Sequence, residues 1–187
     1  MERRDLIRAF TAATALALVP HDAVAAWARV ASGIKPAAGL TEAQLALINA
    51  IADTIIPRTD TPGAFDVGVT SFIDVIVSEN YDDAERDRFL AGLEAIDVDA
   101  RTNGTTAFTA LATDARAAAI GRIEALTDRR TEPARTYWRL KGLIVHGYFT
   151  SEPVMNDVLK VQIMPGAFDG AAPMPAKAPS GPEQAHA

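Results

Sequence analysis

Three histidines are the side chains best suited to proton transfer or metal ligation near neutral pH, and they stand at positions 21, 146 and 186. No two of them are within a helical turn of each other, so no histidine pair has metal-ligand spacing. His146 could act as a general base only with an orienting partner. Asp53, with Asp60 and Asp66, invites a carboxylate-pair reading, but no fixed separation is given and a capping or turn role suits each. Asp60 and Asp66 fall in "PRTDTPGAFDVG", residues 57–68, where Pro and Gly favour turn roles for short carboxylates. Ser71 and Ser151 lie outside any G-x-S-x-G elbow. No G-x-G-x-x-G or P-loop cradles a dinucleotide or phosphate. Gly142 and Gly147, on one stretch of helical pattern, read as close-packing positions. The chain has no cysteine, which removes disulfides, thiolate zinc sites, iron-sulfur clusters and haem attachment through C-x-x-C-H. The residues therefore single out no catalytic, cofactor-binding or metal site in the sequence.

The elements that carry these residues belong to one domain. Its 187 residues are 49% hydrophobic and 22% charged, enough to build a core. The net charge of -6 is spread along the chain, and no cluster of Lys and Arg offers a nucleic-acid surface.

The amino terminus follows the order of a signal peptide: a charged start through Arg8, an apolar run from Ala9 to Val19, then Pro20 and small residues. The run is shorter than the roughly 20 apolar residues of a membrane span. Arg3-Arg4, one free position, Leu6-Ile7 and Arg8 resemble the twin-arginine export signal, with Glu2 where that pattern has Ser or Thr. Two A-x-A triplets follow, Ala23-Val24-Ala25 and Ala26-Trp27-Ala28, and the expected cut is after Ala28. Three acidic and three basic residues cancel up to that point, so the remainder keeps a charge of -6. The competing reading is an amphipathic first helix, opposed by Pro20 and the alanine-rich stretch; an uncleaved leader serving as an anchor is a third. The resulting division is a leader at 1–28, a flexible linker at 29–39, a helical domain at 40–170 and a tail at 171–187.

Within the domain the pattern is all-α, a bundle of five to seven helices. Thr41 and Gln44 form a capping box, Leu40 and Leu45 a hydrophobic staple, and Leu45, Ile48, Ile51, Ala52 and Ile55 a stripe that ends at Pro57. A second helix spans 69–78 with Val69, Phe72, Ile73, Ile76 and Val77 inward. A third opens at Asp82 and ends at Asn103-Gly104. Phe108, Leu111, Ile120, Ile123 and Leu126 predict a short turn and then a helix capped at Thr113. Pro133 opens a helix with Tyr137, Trp138, Leu140, Ile144, Val145 and Tyr148, and Ser151 caps a last one with Val154, Met155, Val158 and Leu159. The Pro- and Ala-rich tail has little to bury and reads as disordered, either inert or ordered by a partner.

Residues 40–77 and "GYFTSEPVMNDVLKVQIMPGAFDG", residues 147–170, resemble the gluconate 2-dehydrogenase subunit 3 family, through "ADTIIPRTDTPGA" early, "GYFTSE" and a late "PG". Where family members often carry a cysteine after the final "DG", this chain has Ala171 and Ala172. The resemblance implies a small, non-catalytic subunit of a periplasmic flavin-dependent sugar or sugar-acid dehydrogenase. Its large partner would carry FAD and be similar to glucose-methanol-choline oxidoreductases, with a cytochrome c as electron acceptor in many such complexes. It also explains the leader: the twin-arginine translocase moves folded proteins, so one signal can export a flavin-loaded pair. Interface candidates are Phe65, Tyr148, Phe149 and Phe168, with Tyr148 also suited to the core, and with Pro62, Gly63, Pro165 and Gly166 setting loop shape. The competing class is an independent periplasmic enzyme or small-ligand binder.

Overall fold

The computed structural model describes residues 21–33, 36, 39–104 and 106–161. Arg3, Arg4, Pro165, Gly166, Phe168 and the tail at 171–187 lie outside them. The described chain is helical, with no strand: α1 (His21–Ala31), α2 (Glu42–Ile55), α3 (Val69–Glu79), α4 (Asp83–Gly104), α5 (Thr113–Glu124) and α6 (Ala134–Thr150). A 3-10 turn at Phe108–Ala110 and a π-helical turn at Val154–Val158 complete it.

Local signals place most of the boundaries. The Thr41 hydroxyl accepts from Gln44 N at 3.3 Å while Gln44 Oε1 accepts from Thr41 N at 2.9 Å, so both halves of the capping box form. The preceding Leu40 is buried, and its N–H is taken by the Asp74 carboxylate of α3 at 2.7 Å. Gly68 starts α3 at φ 77°, a left-handed position that glycine adopts without strain. Asp82 accepts from Glu85 N at 2.7 Å and opens α4.

α3 and α6 form the centre. α1 and α2 pack on α3, α4 and α5 pack on α6, the 3-10 turn sits between α2 and α4, and the π-helical turn folds back on α6. α3 is apolar on more than one face because it is covered on several sides: Val69, Phe72, Ile73, Val75, Ile76 and Val77 are all buried. Gly147 lets the two central helices approach, since a Cβ there would lie 2.8 Å from Phe72 Cδ1. Gly92 does the same between α4 and α6, where a Cβ would overlap the Thr136 side chain.

Several details differ from the sequence expectation. The N-cap of α5 is Ala112, without a side-chain hydrogen bond, rather than Thr113. Leu126 lies past that helix and is exposed. Ser151 does not cap the final turn; its hydroxyl donates back to the Tyr148 carbonyl at 2.7 Å and closes α6 instead. Gly142 has no neighbour within 4 Å of a built Cβ, so it is not a close-packing position. At the amino-terminal end, α1 runs through Ala28 and into the first residues of the expected linker, and packs against α3.

Candidate functional site

The inward stripe of α6 is Tyr137, Leu140, Ile144, Gly147 and Tyr148. One step round the helix, Trp138, Val145 and Phe149 recur at spacings of seven and four and form an outer apolar edge. Val145 is 37% and Phe149 49% exposed. With Lys141, Gly142, His146 and Thr150 they line an open groove. A second groove, lined by Trp27, Val30, Pro153, Met155 and Val161, adjoins it at Thr150. Val161 and nearby Leu159 are also exposed, so large apolar side chains gather around the carboxyl end of α6. Val145 shares the helix with the inward series without belonging to it. It lies one position beyond the 137, 140, 144 and 148 series, and that offset is the signal in the sequence that separates edge from core.

The loop at 57–68 is built rather than slack. Asp66 accepts from Gly63 N at 2.8 Å and pairs with Arg58 at 3.2 Å, while Ala64 N donates to the Ile56 carbonyl at 3.0 Å. A Cβ on Gly63 would lie 2.8 Å from Arg58 N, so this turn needs glycine. Ala64 and Val67 anchor the loop in the core and leave Phe65 62% exposed at its tip. Tyr148 ties the loop to α6, its hydroxyl donating to the Pro62 carbonyl at 2.8 Å across 86 residues of sequence.

That bond assigns different roles to the candidate residues. Tyr148 is core, 5% exposed, and supports the exposed rings beside it. Phe149 packs edge-on against it with ring centroids 5.3 Å apart. Tyr148 thus fixes both the loop that presents Phe65 and the helix end that presents Phe149. Pro62 and Gly63 shape the support.

A charged network, absent from the sequence reading, braces the other end of α6. Glu124 of α5 accepts from the Tyr137 hydroxyl and from Lys141 Nζ, each at 2.6 Å. The Lys141 bond first, and the Tyr137 bond second, hold the Glu124 carboxyl below its ordinary range; burial and then the Glu124 bond push the Tyr137 phenol upward. Trp138 lies between two cations, with the Arg129 guanidinium 3.9 Å and Lys141 Nζ 5.0 Å from its ring. The spacing of Glu124 to Tyr137 and Lys141 spans a loop, so no helical period could reveal it.

The residues considered for catalysis do not converge. Asp53 is exposed on α2, whereas His146 is half-buried with its ring 6.0 Å from Phe72. Asp60 accepts from the adjacent Thr59 hydroxyl at 3.0 Å. Ser151 is enclosed. Among the described residues there is no group of three metal-ligating side chains, and no helix is long and apolar enough to cross a membrane.

No curated protein and no solved structure matches the chain. The family profile described as gluconate 2-dehydrogenase subunit 3 matches residues 42–166, from the first residue of α2 to beyond the π-helical turn. With two thirds of its length inside that match, the chain belongs to the gluconate 2-dehydrogenase subunit 3 family.

Proposed function

We propose that this chain is the non-catalytic small subunit of a flavin-dependent sugar, sugar-acid or glycoside dehydrogenase. Its family name denotes a subunit of gluconate 2-dehydrogenase, which supports the accessory role. The helical body binds and stabilises a large subunit of the glucose-methanol-choline type, which carries the FAD. The leader with Arg3 and Arg4 addresses the assembled pair to the twin-arginine translocase and so to the periplasm. A cytochrome c subunit accepts the electrons.

The observation that supports this reading best is the presentation of Phe65 and Phe149 from two segments clamped by Tyr148. Singly exposed apolar residues are ordinary on a protein surface, but two aromatic rings presented from segments tied together by one hydrogen bond suit a contact surface. A stable heteromeric interface uses such side chains as its anchors, because they bury much area at little loss of conformational freedom. The adjoining Val145, Leu159 and Val161 extend the surface in the way the apolar centre of an interface requires.

The export half has its own test. The double substitution Arg3→Lys with Arg4→Lys leaves the body unchanged and removes the paired guanidinium groups. Both this chain and the flavoprotein are expected to stay in the cytoplasm of the double variant. Unchanged dehydrogenase activity in the periplasmic fraction would contradict the escort role.

A further inference from the structure

We infer that helix α1, when docked on the body, masks both A-x-A triplets of the leader, so that a chain exported in its folded state keeps residues 21–31 as part of its mature body. The export step in this inference rests on the twin-arginine reading above; the masking itself does not. α1 lies outside the family match at 42–166, so it is a feature of this chain to be explained from its own contacts.

A peptidase that recognises the first and third residues of an A-x-A triplet takes its substrate as an extended segment, in which residues i and i+2 face the same side. An α-helix turns those two residues about 200° apart. The two triplets show that separation directly. Ala23 and Ala26, the first residues of each, are 1% and 2% exposed, while Ala25 and Ala28, the third residues, face solvent. Neither triplet can offer both alanines to one protease cleft without unwinding.

Unwinding has identifiable opponents. The Ala28 carbonyl, the bond to be cut in the second triplet, accepts from Ser32 N at 3.0 Å and from Ser32 Oγ at 2.7 Å. Between Ala26 and Ala28, Trp27 stacks on Phe72 of α3 with centroids 5.2 Å apart, and its indole N–H donates to Thr150 Oγ1 of α6 at 3.1 Å. Arg29, just past the second cut, pairs with Glu79 at the end of α3. Small residues therefore do two jobs in this segment. They satisfy a leader peptidase in the unfolded chain, and they let α1 lie close against α3 in the folded one. A translocase that carries folded cargo delivers the triplets already covered.

The test uses the purified full-length chain, a purified leader peptidase in detergent micelles, and intact-mass detection, with a synthetic peptide of residues 1–36 as the unmasked substrate. The peptide is expected to be cut after Ala25 or Ala28, and the full chain at least about tenfold more slowly, because cleavage follows the population of the opened helix. Trp27→Ala preserves the triplet as Ala-Ala-Ala while removing the stack and the Thr150 bond. That variant, with its body shown folded by circular dichroism, should be cut severalfold faster than the parent chain. Cutting of the parent at the rate of the peptide, a peptide that resists cutting, or a Trp27→Ala chain as resistant as the parent would each overturn the masking. A native protein beginning at Arg29, found together with a resistant purified chain, would mean that processing preceded folding. That result would count against folded export and leave the masking standing.

Discussion

Phe65 and Phe149 carry the binding claim at the scale of single residues, and their exposure makes it testable without harm to the fold. Each projects from a fixed segment, so replacing it with Asp removes an anchor and places a charge at the centre of the interface. Each substitution is expected to lower affinity for the flavoprotein by roughly tenfold to a thousandfold, in the range of interface hot spots. The melting temperature of the isolated chain should be unchanged for Phe65→Asp and fall slightly for Phe149→Asp, which loses its ring contact with Tyr148, as calorimetry would show. Glu124 offers a different residue-scale test. Its carboxyl is held low by Lys141 and Tyr137, so its contribution to stability is present above the ordinary carboxylate range and fades as pH falls through its folded value. Glu124→Gln should therefore be less stable than the parent at pH 7 and indistinguishable from it in strong acid. The difference is small, because the group is about one third exposed and screened by solvent. Urea titrations across that pH range would detect it; a gap that widened in acid would contradict the assignment.

At the scale of elements, the close approach of α3 and α6 is the feature most exposed to damage. Gly147→Ala sets a methyl group 2.8 Å from Phe72, itself buried and stacked under Trp27, so it should cost about 1–3 kcal/mol and loosen α1 as well. Tyr148→Phe is milder. It removes the bond to the Pro62 carbonyl, about 1 kcal/mol, and should make the 57–68 loop the first site of limited proteolysis. The legibility of these elements followed the range of the forces that place them. The Thr41 and Gln44 capping box, the Asp82 cap and the buried series of α3 depend on neighbours three or four residues away, and the sequence displays them. Leu126 and Ser151 depend on where a helix stops and what lies across from it, and the local pattern alone placed them wrongly. The Tyr148 bond to Pro62 joins two distant stretches that only their shared resemblance to one family linked, and the Glu124 network joins segments that nothing in the sequence linked. α1 was hidden for a chemical reason, since alanines that suit a peptidase also suit close helix packing.

At the scale of the whole molecule, a helical body with a clustered apolar surface, in a chain whose sequence begins with paired arginines, fits the proposed subunit that travels with its partner. In the proposed complex the chain would bring the address and the contact surface, and the flavoprotein the chemistry and the substrate specificity. The most direct measurement of that claim is to isolate the tagged chain from its native host and examine the eluate for flavin absorbance and for dye-linked oxidation of sugars. The account predicts a yellow, active complex with a larger polypeptide, lost when Phe65 and Phe149 are both replaced by Asp. A colourless chain eluting alone would contradict it.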